Sequence, residues 1–244
     1  MHGFIAVYLR EVLILKRRLK RQIAGMAVSP LLYLIAFGYA MGNTVRYDGH
    51  TYLEFLIPGL IAMSSMIQAF GIATDINVAR FYWYIFEEFQ AAPIPNTAYV
   101  AGEVLAGITR AFISVGVIML LSLLFGVRLQ YGPLFWLAVF LNSFVFASLA
   151  VALAMLVKSH ADQSLLTNFI ITPMAFLGGT FFPIDRLPAW AQPLLHLLPL
   201  THASRAIRDS ALGGPPRVTS CALLLAFGLL FFWLALRCVN RARD

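Results

Sequence analysis

Residues 133–157 read PLFWLAVFLNSFVFASLAVALAMLV, a stretch that contains no charged side chain. As an α-helix it would extend about 37 Å at about 1.5 Å per residue, which exceeds the roughly 30 Å hydrocarbon core of a bilayer. The stretch therefore predicts a helix that crosses a membrane.

The rest of the chain has the same character. It has 244 residues, of which 60% are hydrophobic and 12% are charged, and its mean hydropathy is +0.80. Water-soluble domains carry about 25% charged residues, so this composition predicts an all-α integral membrane protein with a single domain over residues 1–244. Six transmembrane helices are expected, over residues 23–42, 53–73, 104–127, 133–157, 165–182 and 218–237.

The distribution of basic residues predicts the orientation. Six spans place both termini on one side. With that side inside, 11 Lys and Arg residues lie inside, 6 lie outside and Arg110 falls within a span. Positive residues accumulate in cytoplasmic segments, so both termini are expected in the cytoplasm. Because the basic residues gather at the ends of spans, the net charge of +7 does not indicate nucleic-acid binding.

Residues 1–22 precede the first span and differ from it. Apolar residues recur at helical spacing along this segment, while basic residues concentrate in its later part. This pattern is typical of an amphipathic helix at the membrane surface, and a plain charged tail is the alternative. The basic residues of interest are Arg10, Lys16, Arg17 and Arg18.

An acidic segment lies between the second and third spans. Glu87 and Glu88 are adjacent, and Pro93 and Pro95 fix the backbone shortly after them. Paired acids suit contact with basic residues of another protein, and a solvated loop is the alternative. The run FYWYIF (81–86) before them is typical of an interfacial aromatic belt, although aromatic faces also stack on sugars.

The segment 183–217 is too rich in proline and polar residues to span a membrane, yet too apolar for a solvated loop. Residues 189–198 and 201–212 each suit a short helix, and the sequence GGPP (213–216) ends the second. We therefore expect two short helices that re-enter the outer leaflet from the extracytoplasmic side.

No motif for catalysis occurs in the sequence. It contains no GxxxxGK[ST] phosphate loop and no HExxH, CxxC or GxSxG. His196 and His202 are the only neighbouring histidines, and Pro199 between them favours packing over metal binding. These features disfavour a membrane-embedded enzyme.

Polar residues within spans are the default pointers to function. Glu103 and Arg110 begin the third span about 10 Å apart along its axis, too far for a direct ion pair. Either both are functional residues within the span, or both lie at its cytoplasmic end with Arg110 snorkelling. Four uncharged residues either line a pathway or form bonds between helices: Gln68, Asn142, Asn168 and Thr172. The scarcity of buried acids disfavours the main alternative, a stand-alone secondary transporter or channel.

Residues 171–214, ITPMAFLGGTFFPIDRLPAWAQPLLHLLPLTHASRAIRDSALGG, carry a family resemblance. They resemble the C-terminal signature of type-2 ATP-binding-cassette (ABC) exporter permeases. The subgroup with the nearest likeness exports nodulation factors (lipo-oligosaccharides) and drugs. The string GGTFFP…LP…PLTHA…R, from Gly178 to Arg205, is specific to the family, and the likeness extends over the whole chain.

The resemblance implies a division of labour. Two permease subunits pair as a homodimer in the bacterial inner membrane, and each docks one copy of a separate ABC ATPase that binds ATP and Mg²⁺, so this chain itself binds no cofactor. An amphipathic, lipid-linked, glycolipid or drug-like substrate would be exported, although the sequence does not identify it.

The resemblance also implies roles for particular segments. Residues 1–22 become an interface helix and residues 86–98 a coupling helix that contacts the ATPase. The coupling residues are Phe86, Glu87, Glu88, Phe89, Pro93 and Pro95, with Phe89 expected to fill an apolar pocket of the partner. The residues of an outer gate are Pro173, Gly178, Gly179, Pro183, Pro199 and His202.

Overall fold

The computed structural model describes residues 2–41, 46–47 and 49–242, and within them the side chains of all residues except 2, 39, 87 and 90. The α-helices of this part are α1 His2–Met41, α2 Tyr52–Phe70, α3 Ile72–Phe81, α4 Ile85–Ala91, α5 Asn96–Leu124, α6 Pro133–Leu156, α7 His160–Leu166, α8 Thr172–Leu177, α9 Gln192–His196, α10 Pro199–Ala211 and α11 Val218–Arg241. Two-residue strands β1 Arg46–Tyr47 and β2 His50–Thr51 pair as an antiparallel hairpin.

Five helical segments are long and apolar enough to cross a membrane among the described residues: Gly3–Gly38, Tyr52–Phe81, Asn96–Leu124, Pro133–Leu156 and Val218–Arg241. The expected all-α integral membrane fold is therefore confirmed. We call the end of the bundle that carries the β-hairpin the hairpin end, and the end that carries α4 the α4 end.

The expected fifth span, 165–182, is divided into pieces. Helix α7 passes into a π-helix, Thr167–Ile171, and then into the short α8. The Thr172 N–H donates to the carbonyl of Thr167, five residues back, as in a π-helix. The next residue, Pro173, has no N–H to donate to the carbonyl of Phe169. The helix ends at Leu177. This segment is not one of the five candidate spans, so the count of six stays a prediction.

Helix α1 joins two segments that the sequence separated. The expected interface helix and the first span form one 40-residue helix that contains Pro30. At about 1.5 Å per residue it extends about 60 Å, roughly twice the thickness of the hydrocarbon core. The helix is therefore long enough for its apolar part to span a membrane while its basic part lies outside the hydrocarbon core. Lys16, Arg17 and Arg18 are exposed on it.

Helix α2 is the central helix of the bundle, and most of its residues are buried against α5, α6 and α10. The amide of Asn142 on α6 donates to the carbonyl of Ala62 at 3.0 Å and to Ser65 Oγ at 2.9 Å on α2. Asn142 therefore forms a bond between helices, the second of the two roles considered for it.

The segment 183–217 forms a 3-10 turn, Ile184–Arg186, followed by α9 and α10. The two expected helices are present, with bounds shifted by up to three residues. Helix α10 buries Leu200, Ala203 and Ile207 against the bundle. The segment therefore packs into the bundle, and its re-entry into the outer leaflet stays a prediction.

Candidate functional site

Short connections join helix α4 to α3 and to α5. Tyr84 precedes it in the left-handed region at φ 54°, a conformation that few non-glycine residues adopt. Ala92 and Pro95 are extended, and α5 begins at Asn96. The expected coupling segment 86–98 thus comprises α4, an extended linker with Pro93 and Pro95, and the first turn of α5.

Two phenylalanines hold α4 against α5. The rings of Phe86 and Phe89 lie 5.6 Å and 5.5 Å from the ring of Tyr99, measured between centroids. Phe86 is buried and Phe89 is half-buried, so both contact their own chain rather than project outward. Glu88 is exposed, while the side chain of Glu87 lies outside the described residues.

Arg10 connects α1 to both α4 and α5. Its guanidinium lies 5.3 Å from the centre of the Phe89 ring, a cation–π distance. The same group is 3.0 Å from the Glu11 carboxylate and 4.0 Å from that of Glu103. Arg10 thus joins the interface part of α1 to the face of α4 that packs on Tyr99.

A second ion pair lies beside this one. Arg110 on α5 is 2.5 Å from Asp75 on α3, so its guanidinium pairs with a carboxylate within the protein. Glu103 is fully buried, and its Oε2 has no hydrogen-bond partner among the described residues. It makes no ion pair with Arg110 there, as the spacing predicted.

Helix α1 approaches α5 closely at Gly102, next to Glu103. A Cβ placed on Gly102 would lie 2.7 Å from Cγ1 of Val7, closer than real carbon contacts. The hydroxyls of Tyr8 and Thr109 are 3.0 Å apart further along the same contact. A residue without a side chain at position 102 therefore allows Arg10 to reach Glu103.

Substituting this glycine tests the contact. Gly102→Ala should lower the free energy of unfolding by about 1–2 kcal/mol, because overpacking outweighs the gain in helix propensity. Gly116→Ala on the same helix is the control, since nothing lies within 4 Å of its added Cβ. It should be neutral or stabilising by up to about 1 kcal/mol. Midpoints of thermal unfolding in detergent measure both, and equal effects would contradict the close approach.

The expected gate residues collect at the hairpin end. Gly178 packs where a Cβ would lie 2.6 Å from Leu200, and Gly179 has φ 79°. Pro183 precedes the 3-10 turn and Pro199 begins α10. Pro173 lies apart from them at the start of α8.

The two neighbouring histidines share a hydrogen bond but no metal site. His202 Nε2 donates to the carbonyl of His196 at 2.8 Å. Among the described residues, no group of three His, Cys, Asp or Glu side chains has the geometry to hold a metal ion.

Arg208 connects the turn after α8 to α2. Its guanidinium donates to the carbonyls of Phe55 at 3.1 Å and Gly179 at 2.8 Å, and it lies 3.8 Å from the centre of the Phe55 ring. Burial lowers the pKa of the Arg208 guanidinium to about 10, so it stays charged at neutral pH. A buried cation therefore holds the turn after α8 against the central helix.

The remaining residues considered for a pathway are dispersed. Gln68 is half-buried on α2, whereas Asn168 and Thr172 are exposed on the segmented helix. The Thr172 hydroxyl donates to the carbonyl of Thr167 at 3.2 Å. Asn168 and Thr172 thus share one exposed surface, from which Asn142 is absent.

Comparison with known proteins identifies the family. The sequence model described as ABC-2 type transporter matches residues 2–212. The chain belongs to the ABC-2 type transporter family. It is 31% identical to the inner membrane transport permease YadH of Escherichia coli K12, over 88% of this chain and 86% of YadH. It is also 31% identical to nodulation protein J of Sinorhizobium fredii NGR234, over 98% of this chain and 93% of that protein.

A drug-resistance protein is similar as well. The daunorubicin resistance ABC transporter permease protein DrrB1 of Streptomyces coeruleorubidus is 26% identical, over 77% of this chain and 68% of DrrB1. The resemblance to permeases of nodulation and multidrug systems is confirmed, and the chain is a transmembrane subunit of an ABC exporter in the inner membrane. No finding favours a stand-alone transporter or channel.

Three residues of this ABC-2 permease were missed by sequence reasoning. Asp75 lies just past the expected second span, where α3 continues the helix beyond Gly71. Tyr99 and Arg208 were assigned no role. The spacing of Thr201, Ser204 and Arg208, which share the buried face of α10, was a signal for the last of them.

Proposed function

We propose that two copies of this chain form the translocation pathway of an exporter driven by two copies of a separate ABC ATPase, with α4 as the contact that couples ATP hydrolysis to transport. The observation that carries the proposal is the attachment of α4. Glu88 is exposed on one side of this helix, while the opposite side is held by Tyr99 and Arg10. In this proposal the acidic side of α4 is therefore the side that contacts the ATPase.

A displacement of α4 would be transmitted to several transmembrane helices through direct contacts. Phe86 and Phe89 contact Tyr99 on α5, and the Arg10 guanidinium over the Phe89 ring connects α4 to α1. The amide of Asn96, at the start of α5, donates to the side-chain oxygen of Asn240 at the end of α11 at 2.6 Å. A short helix without these contacts would deform under load, because helices of seven residues are unstable alone.

The surface for a second subunit is the segmented helix. A groove of about 610 Å³ runs between the end of α6 and the α7 and π-helix segments. Phe169 is 75% exposed there, and Leu165 and Leu156 are exposed beside it. In our proposal a second copy covers this side, and the pathway at the seam includes Asn168 and Thr172.

The substrate class follows from the apolar surfaces and from the relatives. An amphipathic molecule, lipid-linked, glycolipid or drug-like, suits a pathway with a few polar groups among aromatic and aliphatic residues. One relative is a nodulation protein and another confers daunorubicin resistance. We assign the ATP and Mg²⁺ sites to the partner ATPase and none to this chain, and nucleic acid is no partner. Both termini are assigned to the cytoplasm, on the side of the exposed basic residues of α1.

Charge reversal at α4 tests the coupling role. With the exporter co-expressed with its ATPase and purified, Glu87→Lys combined with Glu88→Lys should lower ATP turnover at least tenfold and weaken copurification of the ATPase, because like charges would face each other at the contact. Light scattering of the wild-type complex should give two copies of each chain.

Two controls make this outcome specific. Asp185→Lys reverses another exposed acid, at the hairpin end, and should leave ATP turnover within twofold of wild type. Membrane insertion of the double variant should be normal. Wild-type turnover in a correctly inserted double variant would rule out α4 as the coupling contact.

A further inference from the structure

A polar cavity of about 160 Å³ opens at the hairpin end, away from α4 and from the groove of the proposed subunit seam. Its walls come from the β-hairpin, from the turn after Pro183, from the C-terminal half of α10 and from Arg217 just before α11. This volume is about ten times what one water needs, so the cavity accommodates a multi-atom polar group.

Basic residues dominate this cavity. Three arginines line it, with two aspartates. Arg205 pairs with Asp185 at 2.9 Å, and Arg217 pairs with Asp209. Arg208 has no carboxylate partner among the described residues, since its hydrogen bonds there go to backbone carbonyls. The arginines and aspartates on the walls therefore carry one more positive than negative charge, and the excess charge is on a side chain only 8% exposed.

We propose that this cavity binds a phosphate-bearing anion, with the headgroup of an anionic phospholipid as the favoured source. Guanidinium groups present planar pairs of donors that match phosphate oxygens. Arg208 forms no direct ion pair among the described residues, so its charge is available to attract an anion although Asp209 lies near it. A free phosphate ion carries the same chemistry, and the experiment below separates the two sources.

The position of the cavity favours a lipid. Arg217 on its wall directly precedes α11, whose first residue Val218 and later residues Leu225 and Leu229 are exposed apolar side chains. If the phosphate of a phospholipid were bound in the cavity, the acyl chains of that lipid would therefore lie along the exposed face of a membrane-spanning helix. Charge at the headgroup and apolar surface directly beside it are what an anionic lipid requires.

The ion pair of Arg205 makes room for the anion. The Asp185 side chain is 80% exposed, so its pair with Arg205 is a surface pair that is worth little in water. An entering phosphate can replace Asp185 as the partner of Arg205, and the released carboxylate is then hydrated. This exchange predicts that Asp185 competes with the anion, so its removal should tighten binding.

The experiment measures thermal unfolding of delipidated protein against added lipid or salt. A ligand that binds only the folded state raises the unfolding midpoint in proportion to its affinity. In mixed micelles, phosphatidylglycerol should raise the midpoint of wild type more than phosphatidylcholine at equal mole fraction. Stabilisation by phosphatidylglycerol without any from inorganic phosphate assigns a lipid headgroup, whereas equal stabilisation by inorganic phosphate assigns a soluble ion.

Three variants decide whether the cavity is responsible. Arg217→Gln should weaken the affinity for phosphatidylglycerol about tenfold, because it removes one charge-assisted contact. Asp185→Asn should strengthen it severalfold, a gain that misfolding does not produce. Arg128→Gln removes an exposed arginine that does not line the cavity and should leave the affinity unchanged. The proposal is overturned if neither lipid nor phosphate stabilises the protein, if Asp185→Asn binds no more tightly, or if Arg128→Gln loses as much as Arg217→Gln.

Discussion

Arg208→Leu should lower the free energy of unfolding by about 3–5 kcal/mol. The substitution leaves the buried carbonyls of Phe55 and Gly179 without the guanidinium donors that now satisfy them, and hydrogen bonds from charged groups contribute about 1.5–3 kcal/mol each. It also removes a cation from the face of the Phe55 ring. The two hydrogen bonds alone account for the expected loss.

The measurement is thermal unfolding of purified protein in detergent. For a chain of this size, about 1 kcal/mol shifts the midpoint by about 2–4 °C, so a fall of about 10 °C is expected. Arg208→Lys should fall between wild type and Arg208→Leu, because an ammonium keeps the charge but lacks the planar fork that reaches two carbonyls.

A matched control lies on the same helix. Arg205→Leu removes an arginine whose carboxylate partner Asp185 is exposed, and it should cost about 1 kcal/mol or less. If Arg208→Leu and Arg205→Leu unfold at the same temperature, Arg208 does not fasten the gate turn to α2. Arg208 also packs closely against α2, because a Cβ on Gly59 would lie 2.9 Å from Arg208 Nη2. This close packing is a further reason to expect a larger loss of stability for Arg208→Leu than for Arg205→Leu.

The sequence was sufficient for the class of fold because hydropathy is a local property. Residues 133–157 coincide with α6 to within one residue. The expected span 165–182 is divided near Pro173, a residue that lacks the N–H of a regular helix. The continuity of α1 was not expected, because a change from basic to apolar residues marks a change of surroundings and does not interrupt a helix.

The charge pairs could not be predicted for a different reason. Asp75 and Arg110 are 35 positions apart, and only the packing of α3 against α5 brings them to 2.5 Å. Phe89 was expected to fill a pocket of a partner protein, and its contact with Tyr99 of its own chain was not expected. An exposed aromatic and a packed one look alike in sequence, because the tertiary neighbour decides between them.

Tyr99→Ala should detach α4 and uncouple the exporter. Removing a buried aromatic ring costs about 3–5 kcal/mol, and here the loss falls on one surface that supports Phe86 and Phe89. A seven-residue helix has little stability of its own, so α4 should open locally while the rest of the bundle stays folded. Amides of residues 85–91 should then exchange with deuterium at least tenfold faster, and ATP turnover of the complex should fall by a similar factor.

Two tyrosine variants separate the ring from other effects. Tyr99→Phe keeps the aromatic surface under Phe86 and Phe89 and should preserve both amide protection of α4 and ATP turnover within about twofold. Tyr82→Ala removes an exposed ring three residues before α4 and should leave amide protection unchanged. The two readouts fail independently. Fast exchange with normal ATP turnover would mean that α4 rests on Tyr99 but does not couple to the ATPase, whereas slow exchange in Tyr99→Ala would mean that Arg10 and the prolines hold α4 without the ring.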